Sequence, residues 1–292
     1  MWEVIDTFDD FLSYWGVACS KTLTQQIELW QTSYMIRYPE LLEKQVQDYK
    51  NYGLDWRGIA KDKVFPKMPD YLQLMQEARE SLFKVCGAVY ERASQVLRLD
   101  FDVTFVIYVG IGCGAGWATQ YNNGPACLFG LEKIAELKWQ RKESLRGLTA
   151  HELGHLVHMG WRNEWDSFTK NQRNPLFLLY SEGFAGRCEH LILEVKTWRE
   201  AQDENWLLWG RQHKAWIAGE YLRRVYNGLP VNDFFGDWLN VQGKSQIGYF
   251  LGYEFVRWLE KEHSIREIAT LSFENVKEQA LSYLRSIASA SA

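Results

Sequence analysis

The chain has 292 residues, 47% hydrophobic and 24% charged, so it is long enough for one large or two modest domains, and its ordinary globular composition excludes extensive disorder. Fourteen tryptophans against six prolines favour a helical protein with a bulky core. A formal net charge of -4 with no polybasic run excludes a broadly phosphate-binding surface, so neither a nucleic-acid nor a membrane partner is expected.

Met1 to Asp10 carries four acids and no basic segment, and does not read as a signal peptide. The longest stretch without formal charge, Val103 to Leu131, holds six glycines and several amides, too polar for a membrane span. The five cysteines are odd in number, widely spaced and never arranged as CxxC. That usage points to a reducing, cytoplasmic setting and away from a disulfide framework or a cysteine metal site.

Residues 1–100 read as an N-terminal helical region. Its clearest helix lies between Asp70 and Leu99, where Leu74, Ala78, Leu82, Val85, Val89, Ala93 and Val96 recur at spacings of three and four. The period then changes. Phe101, Val103, Phe105, Ile107 and Val109 alternate along a strand, and Trp117–Tyr121, a turn at Asn122–Pro125 and Ala126–Leu131 form a hairpin. The fold class expected is α+β, mainly helical, with one small antiparallel sheet. Helices follow over Ser144–Met159, ending at a Gly160 cap, and at about 175–198, 201–227, 245–262 and 273–287, with a break at Gly228-Leu229-Pro230. The division expected is therefore 1–100 and 101–292, the second part holding the sheet and the chemistry.

That chemistry centres on His151-Glu152-Leu153-Gly154-His155, an HExxH motif. Residues four apart share one face of a helix, so two imidazoles can converge on one ion, while Glu152 is rotated by about 100° to stand beside it as a proton acceptor. Leu145, Leu148, Leu153, Leu156 and Val157 can pack the rest of that helix into a core. His158 shares the face of His151 and His155, yet lies about 10 Å along the axis from His151, too far to join it on one ion, and reads as structural or supporting. The segment Tyr180-Ser181-Glu182-Gly183-Phe184-Ala185 resembles the second motif of the gluzincins, where a glutamate on the next helix is the third ligand; the resemblance implies Glu182 for that place, and Gly183, Ala185 and Gly186 would let this helix approach the first. Glu189, one heptad on, could orient a ligand histidine.

With these motifs the chain resembles the gluzincin zinc metallopeptidases, the group containing thermolysin-like enzymes and zinc aminopeptidases. It is also similar to uncharacterised bacterial proteins described as predicted zinc-dependent proteases. The resemblance covers about residues 101–260. It implies a two-lobed zincin-like catalytic domain, one Zn2+ per chain on His151, His155 and Glu182, Glu152 as the catalytic base, and a peptide or protein substrate. It further implies an edge strand beside the HExxH helix that pairs with substrate backbone, a place Ala126–Leu131 would take. An oxyanion donor is implied downstream, where Tyr249 is the catalytic candidate, with Tyr253, one turn on, and His213 as rivals. The acidic exopeptidase motif of the aminopeptidases is missing near Gly124-Pro125-Ala126. Two further readings stay open: a non-catalytic metal-binding protein, and a zinc hydrolase of non-peptide amides or esters.

The glycines at 110, 112, 114 and 116 nominally contain G-x-G-x-x-A, but no helix or βαβ unit follows as a dinucleotide site requires. A loop or tight crossing near the cleft is the expectation there.

Overall fold

The computed structural model describes residues 1–165, 167–194 and 204–289. It is mainly helical with one small four-stranded sheet, an α+β protein. The chain divides into two compact units, Met1–Glu152 and Leu153–Ala292, the boundary in sequence falling inside helix Lys142–Arg162.

The first unit begins with strand β1 (Trp2–Asp6), followed by helices α1 (Phe8–Ala18), α2 (Leu23–Leu29), α3 (Pro39–Asn51), α4 (Trp56–Ile59) and α5 (Met68–Leu97). Then come β2 (Val103–Tyr108), β3 (Gly116–Tyr121), β4 (Gly124–Gly130), α6 (Leu131–Glu136) and the long helix α7 (Lys142–Arg162). The strand order is β1-β2-β4-β3. Here the structure corrects the expected antiparallel sheet: β1 and β4 both run parallel to β2, and only β3 is antiparallel, to β4. The hairpin turn fixes only its own pairing. Asn122 (φ 51°) and Asn123 (φ 64°) are both left-handed, as a two-residue hairpin turn with the twist of its strands requires. The parallel pairings bring Trp2 opposite Val103 and Thr104 opposite Ala126, contacts that no local pattern encodes. In β2, Phe105, Val106, Ile107 and Tyr108 are all buried, the two-faced burial of a strand covered on both sides.

The hairpin order also corrects the edge strand. Ala126–Leu131, expected at the edge, lies mostly in β4, between β2 and β3; the strand at that edge is β3. The preceding glycine loop is bound by the chain's own acid. The fully buried Glu132 carboxylate accepts hydrogen bonds from the amides of Gly110 (2.7 Å) and Gly112 (3.0 Å), and β3, not a helix, follows. Burial pushes the Glu132 carboxyl up from its usual range while these amides pull it back.

The second unit continues α7 and adds α8 (Phe168–Asn171), α9 (Pro175–Leu193), α10 (Glu204–Gln212), α11 (Lys214–Tyr226), α12 (Ile247–Leu259), α13 (Ile265–Ala269) and α14 (Phe273–Ala288). The helix expected to stop at Gly160 runs on to Arg162. Asn163, at φ 52°, takes the left-handed position, with Asn163 N–H donating to Gly160 O and Glu164 N–H to Met159 O, a Schellman end that asparagine can supply. The single helix expected over 201–227 is two, broken at His213, and α9 closes at Leu193 with Glu194 left-handed. The parts of those expected helices at 195–198 and 201–203 lie outside the described residues. Helices over 245–262 and 273–287 appear as α12 and α14. Among the described residues no helix is long and apolar enough to cross a membrane.

Candidate metal centre

Helix α7 carries the motif on a helix whose other faces are core: Leu145, Leu148, Leu153, Leu156 and Val157 are buried, as read from their spacing. His151, Glu152 and His155 are also buried, at 3%, 6% and 8% exposure. Such burial is costly for polar side chains without partners of matching chemistry.

The next helix brings the acid. A Cβ placed on Gly154 would sit 2.8 Å from Cys188 Cβ and 3.0 Å from Ala185 Cα, so α7 and α9 cross at a point where α7 has no room for a side chain. This crossing seats His155 Nε2 3.3 Å from Glu182 Oε2, with 10% and 12% of the two side chains accessible. Of the three small residues expected to permit the approach, Ala185 does so. Gly183 instead faces α12, where a Cβ would lie 2.1 Å from Gly252 O, and Gly186 has open space beside it. Glu182 therefore leaves α9 between two close helix crossings.

The ligating atoms of His151, His155 and Glu182 all lie within 4.8 Å of one another, and this group could hold a metal ion. Two ligands on a tetrahedral ion with bonds of about 2.0–2.1 Å are about 3.3–3.4 Å apart, which the His155–Glu182 separation matches. A protonated His155 would make the same contact an ion pair, but that pair does not call for His151 in the group. Glu152 and His158 are not members of it.

Glu152 points to the sheet. A Cβ on Gly116, the first residue of β3, would meet Glu152 Oε1 at 2.5 Å and its Cδ and Cγ at 2.8 Å. His158 is fully buried in an aromatic cage, its ring centroid 4.2 Å from that of Phe184 and 4.8 Å from those of Phe168 and Tyr180. Burial, with Arg162 adding to it, holds its imidazole well below the usual range, so His158 is neutral there.

The downstream candidates have separate settings. Tyr249 stands on α12 one turn before Gly252, its half-buried ring edge-on to Phe235 with centroids 5.6 Å apart. Tyr253 shares a 3.1 Å hydrogen bond with His190 Nδ1. His213 donates from Nδ1 to Trp209 O at 2.9 Å and stacks on the Trp209 ring. Glu189 is buried on α9.

Sequence reading placed a loop or tight crossing at the glycines ending in Gly116 without saying what Gly116 faces, and missed Gly154 and Tyr221. The Tyr221 side chain is fully buried on α11, donates to Pro175 O at 2.6 Å, and has its phenol held far above the usual range by burial and then by the Glu182 charge. The spacing of Ile217, Ala218 and Tyr221 marks a buried face, but only the structure brings that face near Glu182. No protein-family model matches the chain, and no curated protein or solved structure is significantly similar to it.

Proposed function

We propose that the chain is a zinc-dependent peptidase of the gluzincin kind, with the two-lobed catalytic domain of that group, which hydrolyses peptide bonds in a peptide or protein substrate. The observation that carries the reading is the joining of two helical imidazoles and a carboxylate in one group while the acid between the imidazoles stays out of it. Two nitrogens and one oxygen suit zinc, and three protein ligands leave a coordination position open, which a structural site would fill with a fourth. When bound, zinc supplies Lewis-acid polarisation of the scissile carbonyl and makes a water molecule acidic enough to react near neutral pH.

The chain's own residues do the rest. Glu152 accepts a proton from the attacking water and delivers it to the departing amide nitrogen, so that one water is consumed for each carboxylate and amine formed. Its burial strengthens interactions with a reacting group compared with open water. Tyr249 holds the carbonyl oxygen as negative charge develops on it. The alternatives, a metal-binding protein without turnover and a hydrolase of non-peptide amides or esters, differ in what they predict for Glu152 and for substrate.

The test is metal analysis of protein purified without chelators, a screen of quenched peptides beside simple esters, and Glu152→Gln. About one zinc per chain is expected, with peptide hydrolysis that Glu152→Gln abolishes while metal and fold are kept. Absence of metal overturns the proposal. Unchanged hydrolysis in Glu152→Gln removes the base, and turnover of esters alone moves the protein to the non-peptide class.

A further inference from the structure

The run of glycines leading into β3 has no part in the function proposed above, yet its last member, Gly116, lies against the central acid of the motif. Gly116 does not have a left-handed φ, so its backbone does not call for glycine. What calls for it is space: the Glu152 carboxylate occupies the region where a side chain at 116 would begin, with Oε1 2.5 Å from the ideal Cβ position.

The backbone leading to Gly116 is held from several directions. Glu132 accepts from the amides of Gly110 and Gly112, Gln45 Oε1 from that of Ile111 at 3.1 Å, and Tyr49 donates to Ile111 O at 2.7 Å. Gly130 N–H donates to Ala115 O, and Gly114 O approaches Gly130 so closely that a Cβ there would lie 2.6 Å away. On its far side Gly116 pairs in register with Phe129 of β4. A loop bound by the three buried side chains of Glu132, Gln45 and Tyr49 and a strand bound by its neighbour make a fixed wall, whereas a glutamate side chain has three torsions to choose among.

We propose that Gly116 is a positioning residue: by lacking a side chain it leaves the seat in which the Glu152 carboxylate rests, and the anchored loop holds that seat in place. The role rests on the reading of Glu152 as the base. A methyl at 116 meets the movable end of a side chain, so it turns the carboxylate aside at little cost to the fold. A catalytic group displaced by about 1 Å can lose on the order of a hundredfold in rate.

The experiment compares Gly116→Ala, Glu152→Gln and Gly124→Ala, the last a control in the same hairpin whose Cβ would lie 3.8 Å from its nearest neighbour. Gly116→Ala is expected to keep its metal content and KM while kcat falls about a hundredfold, and Gly124→Ala to keep all three. A second readout needs no turnover. With the glutamate side-chain carboxyl carbons labelled with carbon-13, the resonance absent from Glu152→Gln is that of residue 152, and it should move in Gly116→Ala and stay in place in Gly124→Ala. Wild-type kcat in Gly116→Ala, with Glu152→Gln inactive, overturns the seat and leaves the base standing. Full activity in Glu152→Gln overturns the base, and the positioning role with it. If Gly116→Ala fails to fold, the double variant with Glu152→Ala should recover by removing the collision; failure of the double variant as well would make Gly116 a requirement of the fold and overturn the proposal.

Discussion

Gly183 and Gly252 meet backbone to backbone: a Cβ on the first would lie 2.1 Å from the carbonyl oxygen of the second, and a Cβ on the second 2.4 Å from Leu179 O. Alanine favours a helix interior over glycine by about 1 kcal/mol. Overpacking typically costs about 1–3 kcal/mol, and here the atoms in the way are backbone, which cannot turn aside. Gly183→Ala and Gly252→Ala should therefore lose stability in denaturant titration, and lose metal affinity because Glu182 is next to the crossing. Gly186→Ala, with open space beside it, should gain up to about 1 kcal/mol. A stable Gly183→Ala protein with wild-type metal affinity would contradict this account of the crossing.

Replacing His151, His155 or Glu182 by alanine should abolish stoichiometric metal, measured by elemental analysis after dialysis. Glu189→Ala should keep it, since Glu189 lies outside the group. Affinity should fall as the solution is made acidic, because ligands must give up protons to bind. Full metal content in Glu182→Ala with loss in Glu189→Ala would transfer the third ligand to the later residue.

What could be read from sequence was local. The HExxH helix, the long helix α5 and the β3–β4 hairpin each carry their signal within one or two turns, and each is present. The pairing of Trp2 with Val103 joins residues about a hundred apart, and a five-residue strand beginning and ending near acids does not announce itself. The two histidines could be placed on one helix by spacing, and Glu182 on a second by the family resemblance, but which neighbour each small residue faces could not be read. Gly183, Ala185 and Gly186 look interchangeable in the sequence, and packing assigns them to α12, to α7 and to open space. Likewise, nothing local in Gly116 indicates that Glu152 lies against it.

His158 gives a pH prediction with a definite sign. Its imidazole is held well below the usual range by burial, so the folded chain binds fewer protons than the unfolded one whenever the pH drops below about 6.5. Stability from this group is fully present above that pH and falls by about 1.4 kcal/mol per unit below it, until His158 itself protonates. His158→Leu removes the group from the balance. In metal-free protein, urea titrations from pH 7 to pH 5 should show a shallower loss in His158→Leu than in the wild type, whatever the other groups contribute to both. Parallel slopes would mean that the His158 environment admits the proton more readily than its aromatic cage implies.

The final prediction concerns the donor to the oxyanion. A metal ion held by His151, His155 and Glu182 would stabilise a developing negative oxygen from one side, and a phenol donor on the other side would add a hydrogen bond that strengthens as charge builds, acting mainly on the transition state. Removing one such donor typically costs on the order of a hundred- to a thousandfold in turnover. Tyr249 stands one turn from Gly252, which packs on Gly183, the residue after Glu182. Tyr253 shares a hydrogen bond with His190, and His213 donates to the Trp209 carbonyl. Tyr249→Phe should thus lower kcat by that factor while leaving metal content, melting temperature and KM close to wild type, and Tyr253→Phe and His213→Ala should stay within a few-fold of it. Wild-type turnover in Tyr249→Phe with a collapse in either control would give the donor to that residue and leave Tyr249 as packing against Phe235.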